Sequence, residues 1–201
     1  MAKLYFKYGT MGSTKTMNLL TTAYNLEEKG ISVMCMKPSV DTRDGLEVIK
    51  SRIGIEKGCV IIYPDSDLYK SIQNIRSVEA ATFKPITNWI LVDEAQFLSK
   101  EQINSLAKVV DDFNVNVMCF GLRTDFKSNL FEGSKRLFEI ADSIEELKSI
   151  CECGKKTIIN ARIDENGNVI TDGNQIEIGG NDKYVSMCRK CWYDKIKNLN
   201  K

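Results

Sequence analysis

Short apolar runs rich in β-branched residues recur at residues 4–6, 31–36, 60–63, 89–92 and 115–120, and the segments between them are long enough for helices. Parallel strands need crossover connections, so this alternation predicts an α/β fold with a mainly parallel sheet flanked by helices. Behind the first run, Met17, Leu20, Tyr24 and Leu26 fall on one side of a helix that Gly30 ends. Ser99 is the expected N-cap of a second helix running through Phe113, with Glu101 in its first turn and Ile103, Leu106, Val109 and Val110 on its apolar stripe. The texture changes near Ser149. A strand over residues 157–163 and the turn signal Asp164-Glu165-Asn166-Gly167-Asn168 predict a small β-rich module. The expected division is a nucleotide-binding domain over residues 1–148 and a second domain over 149–201.

The 201 residues are 43% hydrophobic, enough for a real core, and 28 basic side chains against 27 acidic ones leave a formal charge of +1. No global field draws such a chain to nucleic acid or an anionic membrane, and a small substrate is expected. No apolar stretch reaches the roughly 18 residues of a membrane span. The N-terminus enters strand-like alternation directly, without a signal peptide, which points to a cytoplasmic location. Seven Cys, an odd number, argue for thiols or metal ligands over a disulfide framework. With no His present, acid–base chemistry falls to Asp, Glu, Lys, Tyr or Cys.

Gly9-Thr10-Met11-Gly12-Ser13-Thr14-Lys15-Thr16 lies between the first run and the first helix, the strand, loop and helix order of a P-loop NTPase-type fold. In such a loop, backbone N–H groups at a helix N-terminus surround the phosphates, the Lys neutralises β and γ oxygens, and the next Ser or Thr ligates Mg²⁺. Lys15 and Thr16 fit those roles. The pattern G-x-x-x-x-G-K-[ST] fails at one place, because Thr14 stands where Gly precedes the Lys. A β-branched residue tolerates positive φ badly, which leaves two readings. Either Thr14 strains the phosphate turn, or it keeps an ordinary φ and donates its hydroxyl to a phosphate oxygen. Taken alone, the octapeptide could also be a plain strand-to-helix connection.

The fourth apolar run, a strand candidate, ends in Asp93-Glu94, ahead of Ala95-Gln96-Phe97. Strand ends in open parallel sheets face the ligand crevice, so Asp93 has the position of the acid that holds Mg²⁺ through water. Glu94 then points at whatever sits beside the γ-phosphate. Isolated, the pair would read as solvated carboxylates before the Ser99 helix. Two close pairs, Cys151 with Cys153 and Cys188 with Cys191, bracket the β-rich stretch, and four thiolates suit tetrahedral Zn²⁺. Cys35, Cys59 and Cys119 lie in or beside apolar runs and read as core.

In order and spacing, these pieces resemble the type II thymidine kinases, in particular their bacterial branch. The likeness extends through Lys37-Pro38, Asp41-Thr42-Arg43, Ser51-Arg52-Ile53-Gly54, Gly121 to Phe126 and Ile178 to Tyr184, so it covers nearly the whole chain. The resemblance implies transfer of the ATP γ-phosphoryl group to the 5′-hydroxyl of thymidine, a step of deoxynucleoside salvage. It places Gly9, Thr10, Met11, Gly12, Ser13, Thr14, Lys15, Asp41, Arg43 and Gln96 at the nucleotide, Thr16 and Asp93 at Mg²⁺, and Glu94 as the base. A carboxylate in hydrogen-bond reach can orient and deprotonate a hydroxyl without His. Met11, Leu122, Phe126, Phe131 and Tyr184 match positions that line the thymine pocket. A lasso-like loop would add main-chain groups from Gln175, Ile176, Glu177, Ile178 and Gly179, its ends fixed by structural Zn²⁺ on the four Cys. The family further implies a homotetramer and feedback inhibition by thymidine triphosphate, with no nucleic-acid or membrane partner.

Two other readings stay open at the level of sequence. Thr14 is compatible with a nucleotide-binding relative that is feebly catalytic or regulatory, which would bind ATP and thymidine without forming product. Asp93-Glu94-Ala95-Gln96 is also compatible with a nucleic-acid-binding ATPase, a reading that the neutral charge and single P-loop disfavour.

Overall fold

The computed structural model describes residues 1–176 and 183–199. In chain order the elements are β1 (Leu4–Tyr8), α1 (Lys15–Glu27), β2 (Val33–Pro38), β3 (Val48–Lys50), β4 (Glu56–Gly58), β5 (Val60–Ile62), α2 (Leu68–Ala81) and β6 (Trp89–Val92). After a 3-10 turn (Ala95–Phe97) come α3 (Lys100–Phe113), β7 (Asn116–Gly121), α4 (Glu132–Ile140), β8 (Ser143–Glu146), β9 (Ile159–Ile163), β10 (Val169–Ile170), β11 (Tyr184–Met187) and α5 (Arg189–Leu199). Six strands form one sheet in the order β5-β2-β6-β7-β1-β8, and every neighbouring pair in it is parallel.

Successive strand residues point to opposite faces, and here each face buries a different set of helices. Leu4, Phe6, Met36, Ile90, Val92, Val117 and Cys119 pack against Ile72 of α2, Ile103, Leu106 and Val109 of α3, and Leu137 of α4. The alternate residues Cys35, Leu91, Met118 and Phe120 pack against Leu19, Leu20 and Ala23 of α1 and Ile49 of β3. Cover on both faces is what an all-parallel sheet requires. Ser99 caps α3 in a full capping box with Gln102, and the helix ends at Phe113 as its stripe predicts.

Several local expectations are corrected. On α1 the buried stripe is Leu19, Leu20 and Ala23, whereas Tyr24 is 61% exposed and donates its hydroxyl to Glu28 at 2.9 Å. The small Ala23 lets the helix lie close to the sheet, which a tyrosine would prevent. Between β2 and β5 no helix forms. That segment builds the antiparallel hairpin β3–β4, docked on α1 through Ile49 and through Lys57, whose ammonium donates to Glu27 at 2.7 Å. Cys59 is half-buried beside this hairpin, not in the core, while Cys35 and Cys119 are buried as expected. The tail is the antiparallel sheet β10-β9-β11, and it also carries a helix. Trp192 and Ile196 of α5 pack on Ala161, Val169 and Met187, an apolar stripe too short to register in the sequence. Among the described residues no helix is long and apolar enough to cross a membrane.

Candidate active site

Because the sheet is parallel, β1, β2, β6 and β7 deliver their following loops to one edge, where they surround a cavity of about 390 Å³. The loop after β1 turns tightly. A Cβ at Gly9 would run into Ser13 Oγ and the Leu147 carbonyl, so this position must be glycine for the loop to close. Thr14, the N-cap of α1, sits at φ 60° and ψ 23° in the left-handed region, and its hydroxyl donates to Ser13 O at 2.7 Å. The ordinary φ of the second reading is thereby overturned. Thr14 adopts the left-handed backbone state that glycine takes without strain, and its side chain does not cap the first amides of α1.

The Lys15 ammonium folds into its own loop, donating to Thr10 O at 2.7 Å and lying 3.4 Å from Gly9 O and from Ser13 Oγ. Burial lowers its pKa to about 8, against the opposing pull of Glu94 and Asp93. The Thr16 hydroxyl donates to Asp93 Oδ2 at 3.0 Å, joining the P-loop to the end of β6. Burial and the neighbouring Glu94 raise Asp93 to about 7, with the Thr16 bond opposing.

Glu94 is also left-handed, at φ 50°, where strand passes into 3-10 turn, so it belongs with the strained residues that gather at functional sites. Burial would raise its pKa, but Arg43 and Lys15 hold its carboxyl below the ordinary value. Arg43 Nη2 donates to Glu94 Oε1, and Arg43 Nε donates to Asp41 Oδ1 at 2.6 Å. Behind them Lys37, 1% exposed, donates to Gly45 O at 2.6 Å and stands 3.8 Å from Asp41 Oδ2. A four-residue chain of alternating charge, Glu94–Arg43–Asp41–Lys37, thus fixes the loop after β2. Lys37 directly follows the apolar run over residues 31–36, and the fold draws it into β2, where lysine is buried only with partners.

Gln96 lines the cavity, yet its carboxamide is fully engaged within the protein: Nε2 donates to Glu94 Oε2 at 2.6 Å, and Oε1 accepts the Leu122 amide at 2.9 Å. Beside its expected place at the nucleotide, Gln96 thus bridges Glu94 and the loop after β7. Leu122, Phe126, Phe131, Met11, Ile176 and Tyr184 form the apolar part of the wall. Gln175 donates to Asp125 Oδ2 at 3.0 Å at the same rim. Glu177, Ile178 and Gly179 lie outside the described residues.

Four contributors carry no signal strong enough to single them out in the sequence. The Arg162 guanidinium stacks 3.9 Å above the Phe126 ring and donates to the Tyr184 hydroxyl at 2.9 Å. Asn160 accepts the Met11 amide at 2.7 Å, while Ser186 donates to the Met11 carbonyl at 2.6 Å. Thr124, on the cavity wall and 5% exposed, has a hydroxyl with no partner among the described residues. A signal did exist: Asn160 and Arg162 alternate with the apolar Ile159 and Ala161 along β9, a polar face at strand period.

The ligand atoms of Cys151, Cys153, Cys188 and Cys191 all lie within 4.8 Å of one another, with Cys153 and Cys188 sulfurs 3.6 Å apart. Metal–sulfur distances of about 2.3 Å put tetrahedral sulfurs roughly 3.8 Å apart, so the set fits a tetrahedral ion. The Cys191 amide, donating to the Cys188 sulfur, lowers that thiol to about 7.

The family model for thymidine kinase matches residues 2–192. The chain belongs to the thymidine kinase family. It is 46% identical to the thymidine kinase of Zymomonas mobilis subsp. mobilis over 99% of this chain and 100% of that one. It is 47% identical to that of Streptococcus pyogenes serotype M3 and 48% identical to that of Streptococcus agalactiae serotype V, each over 96% of this chain and 98% of the relative. A solved Pif1 helicase of Candida albicans overlays 74% of this chain and 36% of its own at 14% identity with TM-score 0.44, too weak a likeness to bear on function. Family membership makes the chain a nucleoside kinase, and the phosphate loop, acidic strand end and apolar wall belong to one site.

Proposed function

We propose that this protein is an ATP-dependent thymidine kinase that transfers the γ-phosphoryl group to the 5′-hydroxyl of thymidine in deoxynucleoside salvage. The carrying observation is that Thr16, Asp93, Glu94 and Arg43 meet at one end of a cavity whose other end is walled by Leu122, Phe126 and Phe131. A triphosphate would lie on the amides of Gly9 to Lys15, with Lys15 turning from its own loop carbonyls to the phosphate oxygens. Mg²⁺ would be held by Thr16 and, through water, by Asp93, and when bound it neutralises charge on the β and γ oxygens. Glu94, ionised and held by Arg43 and Gln96, would accept the 5′-hydroxyl hydrogen bond and then its proton. A carboxyl held below its usual range is a weak base, which suits a loose transition state in which the proton leaves late.

The thymine ring would lie in the apolar end, with the Thr124 hydroxyl and loop amides free for its polar edge. The four Cys would hold one structural Zn²⁺, since four thiolates leave no open position. Division into a kinase domain over residues 1–148 and a zinc-bearing lasso domain over 149–201, a homotetramer, inhibition by thymidine triphosphate and a cytoplasmic location without nucleic-acid or membrane partners complete the reading.

A phosphoryl-transfer assay with ATP and, in turn, thymidine, deoxyuridine and deoxycytidine tests it. Thymidine monophosphate should form, and Glu94→Gln should slow its formation by about 10² or more, the size of a lost general base, with nucleotide binding kept. No product from the unaltered protein would overturn the activity. Near-normal turnover in the variant would overturn the role of Glu94.

A further inference from the structure

Two guanidinium groups line the cavity, Arg43 and Arg52, and they differ in one respect. Arg43 is already bound: Asp41 takes its Nε and Glu94 takes an Nη. The remaining cations are engaged too, Lys15 by its loop carbonyls and Lys50 by Glu56 at 3.1 Å. Arg52 forms no hydrogen bond or ion pair among the described residues. Its Nη1 lies 3.9 Å from where a Cβ on Gly12 would stand, over the middle of the phosphate loop.

This placement is built by the fold. Ser51 and Ile55 close a tight turn, Ser51 N donating to Ile55 O at 2.8 Å and Ile55 N to Ser51 Oγ at 3.2 Å, with Gly54 at φ +89°. The turn tips the β3–β4 hairpin and presents Arg52 to the cavity. Ile49, buried against Leu19, Leu20 and Ala23, and the Lys57–Glu27 ion pair hold the hairpin on α1, the helix that the phosphate loop opens. Hairpin, loop and arginine therefore share one support. A charged fork left unpaired over glycine backbone is arranged to receive phosphate oxygens, which match it two bonds at a time.

We propose that Arg52 is the guanidinium that meets the triphosphate in this enzyme, while Arg43 acts through Glu94 as a positioning residue. Arg52 would close on the terminal phosphate oxygens and steady the charge that spreads there during transfer. The inference rests on the proposed kinase function.

The test compares the unaltered enzyme with Arg52→Gln and Arg52→Lys. Both substitutions alter only an exposed side chain that bonds nothing among the described residues, so their melting temperatures should match that of the parent. For Arg52→Gln, kcat at saturating ATP and thymidine should fall about 10³-fold, the lower end of what a phosphate-directed arginine contributes. Tripolyphosphate, titrated as a competitor of ATP, should bind about tenfold more weakly, and thymidine KM should stay within threefold. Arg52→Lys should regain the tripolyphosphate affinity but only part of kcat, because it restores the charge without the fork. Unchanged kcat and tripolyphosphate binding in Arg52→Gln would overturn the inference, as would a loss confined to thymidine KM. If the unaltered enzyme itself makes no thymidine monophosphate, the kinase reading fails first, a result distinguishable from either.

Discussion

Gln96 donates to Glu94 Oε2 at 2.6 Å, and the other end of the same carboxamide accepts the Leu122 amide at 2.9 Å. The proposed base and the loop that would hold the thymine are therefore two ends of one side chain. Gly121 completes the arrangement, since a Cβ there would stand 2.8 Å from Gln96 Oε1. Gln96→Leu removes both bonds and leaves a buried carboxylate oxygen and an amide without partners, a loss of about 1–3 kcal/mol for each buried group. Turnover is expected to fall at least tenfold and thymidine KM to rise with it. If steady-state kinetics show only a lower melting temperature with both constants intact, the bridge carries no functional coupling.

Lys15 gives a pH dependence with two opposite signs. Its pKa in the folded protein is lowered from 10.5 to about 8, so between those values the unfolded chain binds more protons and stability without nucleotide rises with pH. A bound triphosphate favours the ammonium and restores a higher pKa. Nucleotide affinity is thus full below about pH 8 and declines as pH climbs through it. Calorimetry of ATP binding near pH 8.5, repeated in buffers of different ionisation enthalpy, should record proton uptake. Zero uptake throughout that range would exclude the account.

How much was legible in the sequence follows from the range of each interaction. The apolar runs that become β1, β6 and β7, the N-cap at Ser99, the loop before Lys15 and the two Cys pairs are local patterns, and all reappear in the fold. What escaped depends on partners distant in the chain. Arg162 is a polar residue on a strand until Phe126 and Tyr184 are brought to it, and Arg52 is an ordinary surface arginine until the hairpin is docked on α1. The nearness of Gln96 to Glu94 is plain in the sequence, but its bond to Leu122, 26 residues away, exists only in the fold. The stripe on α1 was misplaced for a related reason: amphipathic spacing counts Tyr24 as apolar, but only the small Ala23 fits at the sheet.

The Cys quartet supports a prediction about metal removal. β11 runs directly into Cys188, and its Ser186 holds the Met11 carbonyl while its Tyr184 receives Arg162. Purified protein should contain about one zinc per chain, since clustered thiolates repel without a cation. Stripping it with a chelator, or replacing Cys188 and Cys191 by Ser, should weaken thymidine binding more than ATP binding. The proposed thymine wall takes Tyr184 from β11 and has Phe126 stacked under the Arg162 that Tyr184 receives, whereas the phosphate loop also rests on β1 and α1. Metal analysis finding no zinc, or equal losses for both ligands, would contradict this.

Thr14 supplies the sharpest discrimination, because the backbone has chosen between its two readings. At φ 60° an L residue carries left-handed strain of about 1–2 kcal/mol, more for a β-branched one. Glycine at this position removes that strain and returns about 0.4–1 kcal/mol of unfolded-state entropy against it. Thr14→Gly should therefore be neutral to slightly stabilising, and it frees the loop to approach phosphate without a Cβ. The hydroxyl that is lost donates to Ser13 O, so no phosphate contact goes with it. ATP affinity is expected to hold or tighten, with the gain in binding larger than the gain in melting temperature. Thr14→Ser keeps the Ser13 bond and removes the γ-methyl, and its affinity should fall between the parent and the glycine variant. ATP titrations of both variants decide the matter: weaker binding in Thr14→Gly with binding preserved in Thr14→Ser would mean that the hydroxyl turns to phosphate when nucleotide arrives, and that the left-handed turn is not what limits this loop.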